Sequence, residues 1–164
     1  MQVLGINALG PIYHCREEII NFLGKRDRIF QIILLDPAAD VFREREVLEK
    51  DSIRRIHTEW KATLCILKDI QLNTAGIIDL KLHTEKPDRF LLIIDTLNEL
   101  DISSKMIINY YPKKSGVRGY MGGQFLSEFL LERDRDSFKK NFNYFQEIWG
   151  KAVKKDIDDV IKNT

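Results

Sequence analysis

The sequence predicts an α/β domain: a mixed β-sheet of about six strands flanked by helices on both faces. Two features predict it. The first is a pair of β-α-β crossovers, in which the aliphatic segments Gln2–Ala8, Ile29–Leu35 and Ile77–Leu82 alternate with stretches of helical periodicity. The second is a later run of short strands, closed by a helix whose aromatic residues share one face.

Gln2–Ala8 (QVLGINA) reads as a short buried strand, and Gly10-Pro11 opens a helix, since proline is tolerated where the backbone N–H has no helical partner. That helix carries Ile19, Ile20 and Leu23 and stops at Gly24. Ile29–Leu35 (IFQIILL) is apolar almost throughout, the character of a strand covered on both faces. From Ala39 to Gln71, Ile53, Ile56, Trp60, Leu64 and Leu67 form one buried stripe, with Cys65 beside it as packing. The charged front of this stretch, Arg43–Asp51, projects into solvent. Strands at Ile77–Leu82, Phe90–Thr96 and Lys105–Tyr111 are joined by short polar turns and are expected to pair as an antiparallel meander. Phe125–Glu132 supplies a sixth strand. Asp136 caps a last helix bearing Phe138, Phe142, Phe145, Trp149 and Val153 on one face. Residues 154–164 extend that helix or fray. Ile157, Val160 and Ile161 then have little of the domain left to cover, which suggests a partner helix.

Composition narrows the function. The chain has 164 residues with 26 basic and 25 acidic side chains, a length for one domain spanning 1–164 and a balance unlike that of a dedicated whole-surface nucleic-acid binder. The longest aliphatic runs fall far short of the roughly 20 residues of a membrane span. The start of the chain lacks the positive region of a signal peptide, so the cytoplasm is the expected compartment. Cys15 and Cys65 form neither a disulfide framework nor a metal-type spacing. Met1 directly before a core strand points to a domain of something longer.

Gly5-x-Asn7-x-x-Gly10 between a strand and a helix has the outline of a dinucleotide fingerprint, with Asp36 closing the next strand. The middle glycine is replaced by Asn7, so no nicotinamide or flavin is expected. A weak anion site near Gly10–Tyr13, beside Asn7, remains. The stretch 102–127 holds Lys105, Lys113, Lys114 and Arg118 with no Asp or Glu, interleaved with Gly116, Gly119, Gly122, Gly123, Tyr110, Tyr111 and Tyr120. Lysine and arginine neutralise phosphate and tyrosine offers a stacking face. If the chain binds an anionic ligand or a nucleic-acid phosphate, this segment is the expected place; the plainer account is an ordinary exposed hairpin loop kept soluble by its lysines. His14 and His83 could border the mouth of the sheet, whereas His57 reads as a surface residue. The histidine spacing does not suggest metal. His83 is the candidate if the chain has a general base. Cys15, near a helix start, reads as a structural thiol rather than an activated one.

Ile32-Ile33-Leu34-Leu35-Asp36-Pro37, Phe90-Leu91-Leu92-Ile93-Ile94-Asp95 and Phe142–Trp149 (FNYFQEIW) resemble one repeat of the phospholipase D-like superfamily. More narrowly, they are similar to the divergent domains of that fold in bacterial regulatory and signalling proteins. The resemblance runs from the first strand to Trp149. Catalytic members carry His-x-Lys, then four residues and Asp. With Asp95 as the motif Asp, Asp88 stands at the nucleophile position and Phe90 at the cation position. His83 and Lys86 do not restore the spacing. The resemblance therefore implies the fold without its phosphoryl transfer, and a sensor or interaction module that binds a small anionic ligand or a protein partner. Asp95, Asn109 and Arg89 would line the vestigial pocket. Single repeats of this superfamily commonly pair around a two-fold axis, so a homodimer is implied. No cofactor or metal is expected. The alternatives are an active phosphodiesterase or nuclease using His83 or His14, and a nucleic-acid-binding module acting through segment 105–123.

Overall fold

A computed structural model of the chain describes residues 1–6, 8–48, 55–97, 99–110 and 126–162, with the side chains of 45–48, 95–97, 99–103, 110 and 126 left out. Along the chain run β1 (Gln2–Gly5), α1 (Leu9–His14), α2 (Arg16–Leu23), β2 (Ile29–Leu35), α3 (Asp40–Leu48), α4 (Arg55–Leu72) and β3 (Ile77–His83). They are followed by β4 (Arg89–Leu97), β5 (Glu99–Tyr110), β6 (Leu126–Leu130), α5 (Arg135–Lys151), β7 (Val153–Lys155) and α6 (Ile157–Lys162). The seven strands form one mixed sheet in the order β6-β5-β4-β1-β2-β3-β7. β1, β2 and β3 are parallel, and every other pairing is antiparallel. The α/β class, the two crossovers and the helices on both faces match the expectation from sequence.

The unbroken apolar strands take the middle of the sheet because both of their faces need cover. Phe30, Ile32, Leu34, Val3, Leu80 and Leu92 pack on one face with Ile12, Ile19, Trp60, Leu64, Leu67 and Ile157. Leu4, Ile33, Leu91, Ile93, Met106 and Ile108 pack on the other with Phe138, Phe145 and Ile148 of α5. Trp60 is fully buried, and its indole N–H donates to the Leu35 carbonyl at 3.0 Å, which ties α4 to the end of β2. Gly76 lets the chain enter β3 in close contact. A Cβ there would stand 2.8 Å from the Arg28 carbonyl oxygen, and the Gly76 N–H donates to Leu23 O at 2.7 Å.

The expected antiparallel meander of three strands is corrected in its first member. β4, β5 and β6 form a meander, but β3 does not pair with β4; its neighbours are β2 and β7. The residue pattern explains the choice. β3 alternates Ile78, Leu80 and Leu82, which are buried, with Asp79 and Lys81, which are not, so one of its faces tolerates a place near the sheet edge. Leu91, Leu92 and Ile93 of β4 are all buried and require the centre, where β4 lies against β1.

Other boundaries shift. β1 stops at Gly5, and Ala8 adopts a left-handed backbone (φ 54°) that turns the chain into α1. The first helix divides in two at Cys15, whose φ and ψ of −98° and 19° leave the helical region. The stretch expected over 39–71 comprises α3 and α4, and Ile53 lies outside the described residues. Cys65 is exposed rather than packed, because it falls one position off the buried phase of Thr63, Leu64 and Leu67. His57 is half-buried, edge-on to Phe42 with centroids 6.1 Å apart. α5 begins after Asp134, not at Asp136, and the Asp134 carboxylate accepts from the Leu130 N–H at 3.1 Å.

The largest correction lies at the C-terminal end. Residues after α5 do not prolong it: Val153–Lys155 pairs with β3 as a seventh strand, and α6 then folds back onto α4. Ile157 and Val160 are 4% and 7% exposed, so the chain covers them itself and they leave no apolar face there for a partner helix. Lys68 of α4 pairs with Asp158 beside this contact. Val153, expected on the aromatic face of α5, instead lies exposed in β7. If α6 is docked in this way, Ile157→Ala will lower stability by about 2–4 kcal/mol in urea unfolding. Ile161→Ala, at a residue 38% exposed, will change the same midpoint far less.

Candidate functional site

In α/β sheets ligands gather at the carboxyl ends of parallel strands, so the site is built from there. β1, β2 and β3 all end on one side of the sheet, and β4 starts on that side because it runs antiparallel to β1. Residues 84–88 must therefore carry the chain from His83 past the ends of β2 and β1 to Arg89. That is three strand spacings, about 14 Å. The Asp36 N–H donates to His83 O at 2.8 Å and pins the start of this link to the end of β2. Asp36 turns its own carboxylate onto the Ala38 N–H at 2.8 Å, closing a local turn.

The link ends in a cluster of polar groups on the α5 face. Asp88 receives two hydrogen bonds from Arg89, from Nε to Oδ1 and from an NH2-group nitrogen to Oδ2, each 2.6 Å. The other terminal nitrogen of Arg89 donates to Asn141 Oδ1 at 2.6 Å. The guanidinium carbon lies 4.5 Å from the centre of the Tyr144 ring. The Tyr144 hydroxyl accepts from the Asp88 N–H at 3.3 Å. Asn141 is 4% exposed and is held by its own donation to Ser137 O at 2.8 Å. The Arg89 side chain is 14% exposed while that of Asp88 is 54% exposed. Hydrogen bonding from Arg89 holds the Asp88 carboxyl below its usual range, and burial pushes the Tyr144 phenol up. The arrangement is a planar cation fixed from three sides, with a solvent-facing carboxylate across its donor edge.

The residues expected to line one pocket do not converge. Phe90 is buried on the opposite face, where a Cβ on Gly5 would lie 3.2 Å from its ring. Asn109 pairs with Phe90 and shares that face, whereas Arg89 pairs with Tyr110 and faces α5. Asp95 lies at the far end of β4, beside an irregularity in the β4–β5 pairing. Six residues of extended chain put it about 20 Å from Arg89. Lys105 is exposed and sits five residues back from Tyr110 in β5, so the basic segment divides and part of it is strand. Asn7, Tyr111, Lys113, Lys114 and Arg118 lie outside the described residues.

His83 ends β3 opposite Leu35 and is 5% exposed. Burial lowers its pKa; nearby Glu85 opposes the drop and Lys151 adds to it. Lys81, two residues earlier, donates to Trp149 O at 2.9 Å, its ammonium 4.3 Å from the centre of that ring. His14 is exposed at the end of α1, edge-on to Tyr13. Burial, then Glu18, raises the Cys15 pKa, so this thiol is not activated. Among the described residues, no group of His, Cys, Asp and Glu has the arrangement of a metal site, and no helix is long and apolar enough to cross a membrane.

Asn141 and Tyr144 escaped the reading of the sequence. Their signal was a polar residue in the phase of a buried stripe, because the buried positions of α5 are Phe138, Asn141, Phe145 and Ile148. No family model, curated protein or solved structure matches this chain.

The pKa shifts define two pH windows. The folded-state pKa of His83 lies below the ordinary 6.5, so the unfolded chain takes up a proton first. Stability is then full above about pH 6.5 and declines as pH falls through the folded-state value. Asp88 adds stability that is lost only below about pH 4, in the carboxylate range. Urea midpoints measured from about pH 7 to pH 5 will fall in the wild type, and His83→Gln will flatten that slope.

Proposed function

We propose that the chain is a catalytically degenerate, phospholipase D-like sensor or interaction module of a bacterial regulatory or signalling protein. It works by binding a small anionic ligand rather than by cleaving a phosphoester. One observation carries this reading: the position of the family nucleophile holds a carboxylate paired with Arg89, and the position of the family cation holds a buried phenyl ring. A carboxylate facing an incoming phosphate repels it, and a phenyl ring cannot neutralise its charge. Arg89, held by Asn141 and Tyr144, supports the anion-binding part. Pairing of two copies around a two-fold axis belongs to the same reading, as does a cytoplasmic setting.

Two measurements on the whole chain test it. Thermal unfolding with nucleotides, sugar phosphates and phospholipid head groups will reveal at least one stabilising anion, worth about 2.7 kcal/mol at 100 times its Kd. A generic phosphodiester and DNA will remain uncleaved. Cleavage that disappears in His83→Ala would overturn the reading in favour of an active phosphodiesterase. Salt-sensitive gel shifts with DNA or RNA, without any small-anion effect, would favour nucleic-acid binding through 105–123.

A further inference from the structure

The geometry points to Asp88 as a built-in competitor for the anion site, a carboxylate that occupies the Arg89 guanidinium until a phosphate or carboxylate ligand displaces it. This inference rests on the anion-binding reading above and adds its site and its regulation. Three features support it. First, Arg89 is prepared independently of Asp88: Asn141 holds one terminal nitrogen at 2.6 Å and the Tyr144 ring lies under the guanidinium at 4.5 Å. Both supports come from α5, and Asn141 is itself fixed on Ser137 O. A planar guanidinium held in this way keeps its orientation when its partner changes, which is what two-point recognition of an oxyanion requires.

Second, Asp88 presents to it the two-oxygen edge that a phosphate or carboxylate would present, with both contacts at 2.6 Å. Adjacent residues of a strand point to opposite faces, and this pair meets because Asp88 precedes β4. Third, the two partners differ in exposure. The Arg89 side chain is 14% exposed and that of Asp88 is 54% exposed, so the carboxylate can turn to water while the cation stays in place. Displacement would release the Asp88 carboxylate to water, while the Asp88 N–H contact to Tyr144 at 3.3 Å and the buried Pro87 keep the backbone of the link in place.

The test compares the intact chain with Asp88→Asn and Glu85→Gln, using inorganic phosphate at constant ionic strength. Both substitutions remove one negative charge from the same link, but Asp88 bonds Arg89 whereas Glu85 lies near His83 and Lys151. Binding is read from the Arg89 Nε–Hε resonance and from the thermal midpoint. Asp88→Asn will bind phosphate at least tenfold more tightly than wild type, and Glu85→Gln will stay close to wild type. Equal affinity in Asp88→Asn and wild type, or an equal gain in Glu85→Gln, overturns the inference. In the Asp88→Asn background, Arg89→Lys will lose the gain if the guanidinium is the receptor; a retained gain also overturns it. The two readings fail separately. A ligand found for wild type but indifferent to Asp88→Asn removes the competitor and leaves the anion-binding module. Phosphate bound tightly by Asp88→Asn, with no anion bound by wild type, supports the competitor and removes the proposed function.

Discussion

The short passage from β3 to β4 is the constraint on which the rest depends. The strands it joins lie on opposite sides of the β1–β2 pair, so residues 84–88 must run beside the carboxyl ends of those strands. A helix could not make the crossing in so few residues: at about 1.5 Å per residue it would cover about half the distance. The link must cross without a helix, and it does so with bends at Thr84, Glu85 and Asp88. It occupies the side of the sheet where α/β proteins usually take a ligand, and it delivers Asp88 and Arg89 to the rim instead of the interior.

Burial explains why the strands separate. Leu91, Leu92 and Ile93 are apolar on both faces and belong where helices lie above and below. Burying one such side chain contributes about 1.5–3 kcal/mol, which favours the centre of the sheet for this strand. Asp79 and Lys81 can tolerate a place near the edge, where Lys154 lies 3.1 Å from Asp79 Oδ1 and Trp149 engages Lys81. That ammonium stands off the line of a hydrogen bond, so Asp79 Oδ1 has a charge partner but no aligned donor. β7 completes the edge with three exposed residues, two of them lysines, a composition that discourages further strand addition.

α5 has two duties that compete for its buried face. Phe138, Phe145 and Ile148 seal the core, and Asn141, in the same phase, carries the polar contact to Arg89. A buried amide costs stability unless its bonds are made, and here both its oxygen and its nitrogen are bonded. Stacking of Tyr144 on the guanidinium then couples the helix to the link. Packing of α5 and orientation of the rim cation are a single arrangement.

Much of the framework was legible in the residues. The apolar runs of β1, β2 and β4, the Ile56–Trp60–Leu64–Leu67 stripe and the aromatic phase of α5 are local patterns, and hydrophobic periodicity reports them directly. The candidate site was legible only as a set of separate residues. Arg89, Asp95 and Asn109 share strands close in sequence, yet the pleat sends Arg89 and Asn109 to opposite faces, and strand length carries Asp95 away. The fate of Ile157 and Val160 was equally hidden, because the three-residue strand β7 and a return onto α4 leave no periodic trace. By itself, then, the sequence determined the α/β class and the covered central strands, since each depends on residue type and near-neighbour spacing. Only the tertiary structure decided which strands adjoin, where the last helix docks and what surrounds Arg89. Those outcomes come from long-range competition for buried area and for hydrogen-bond partners, between segments that no local pattern connects.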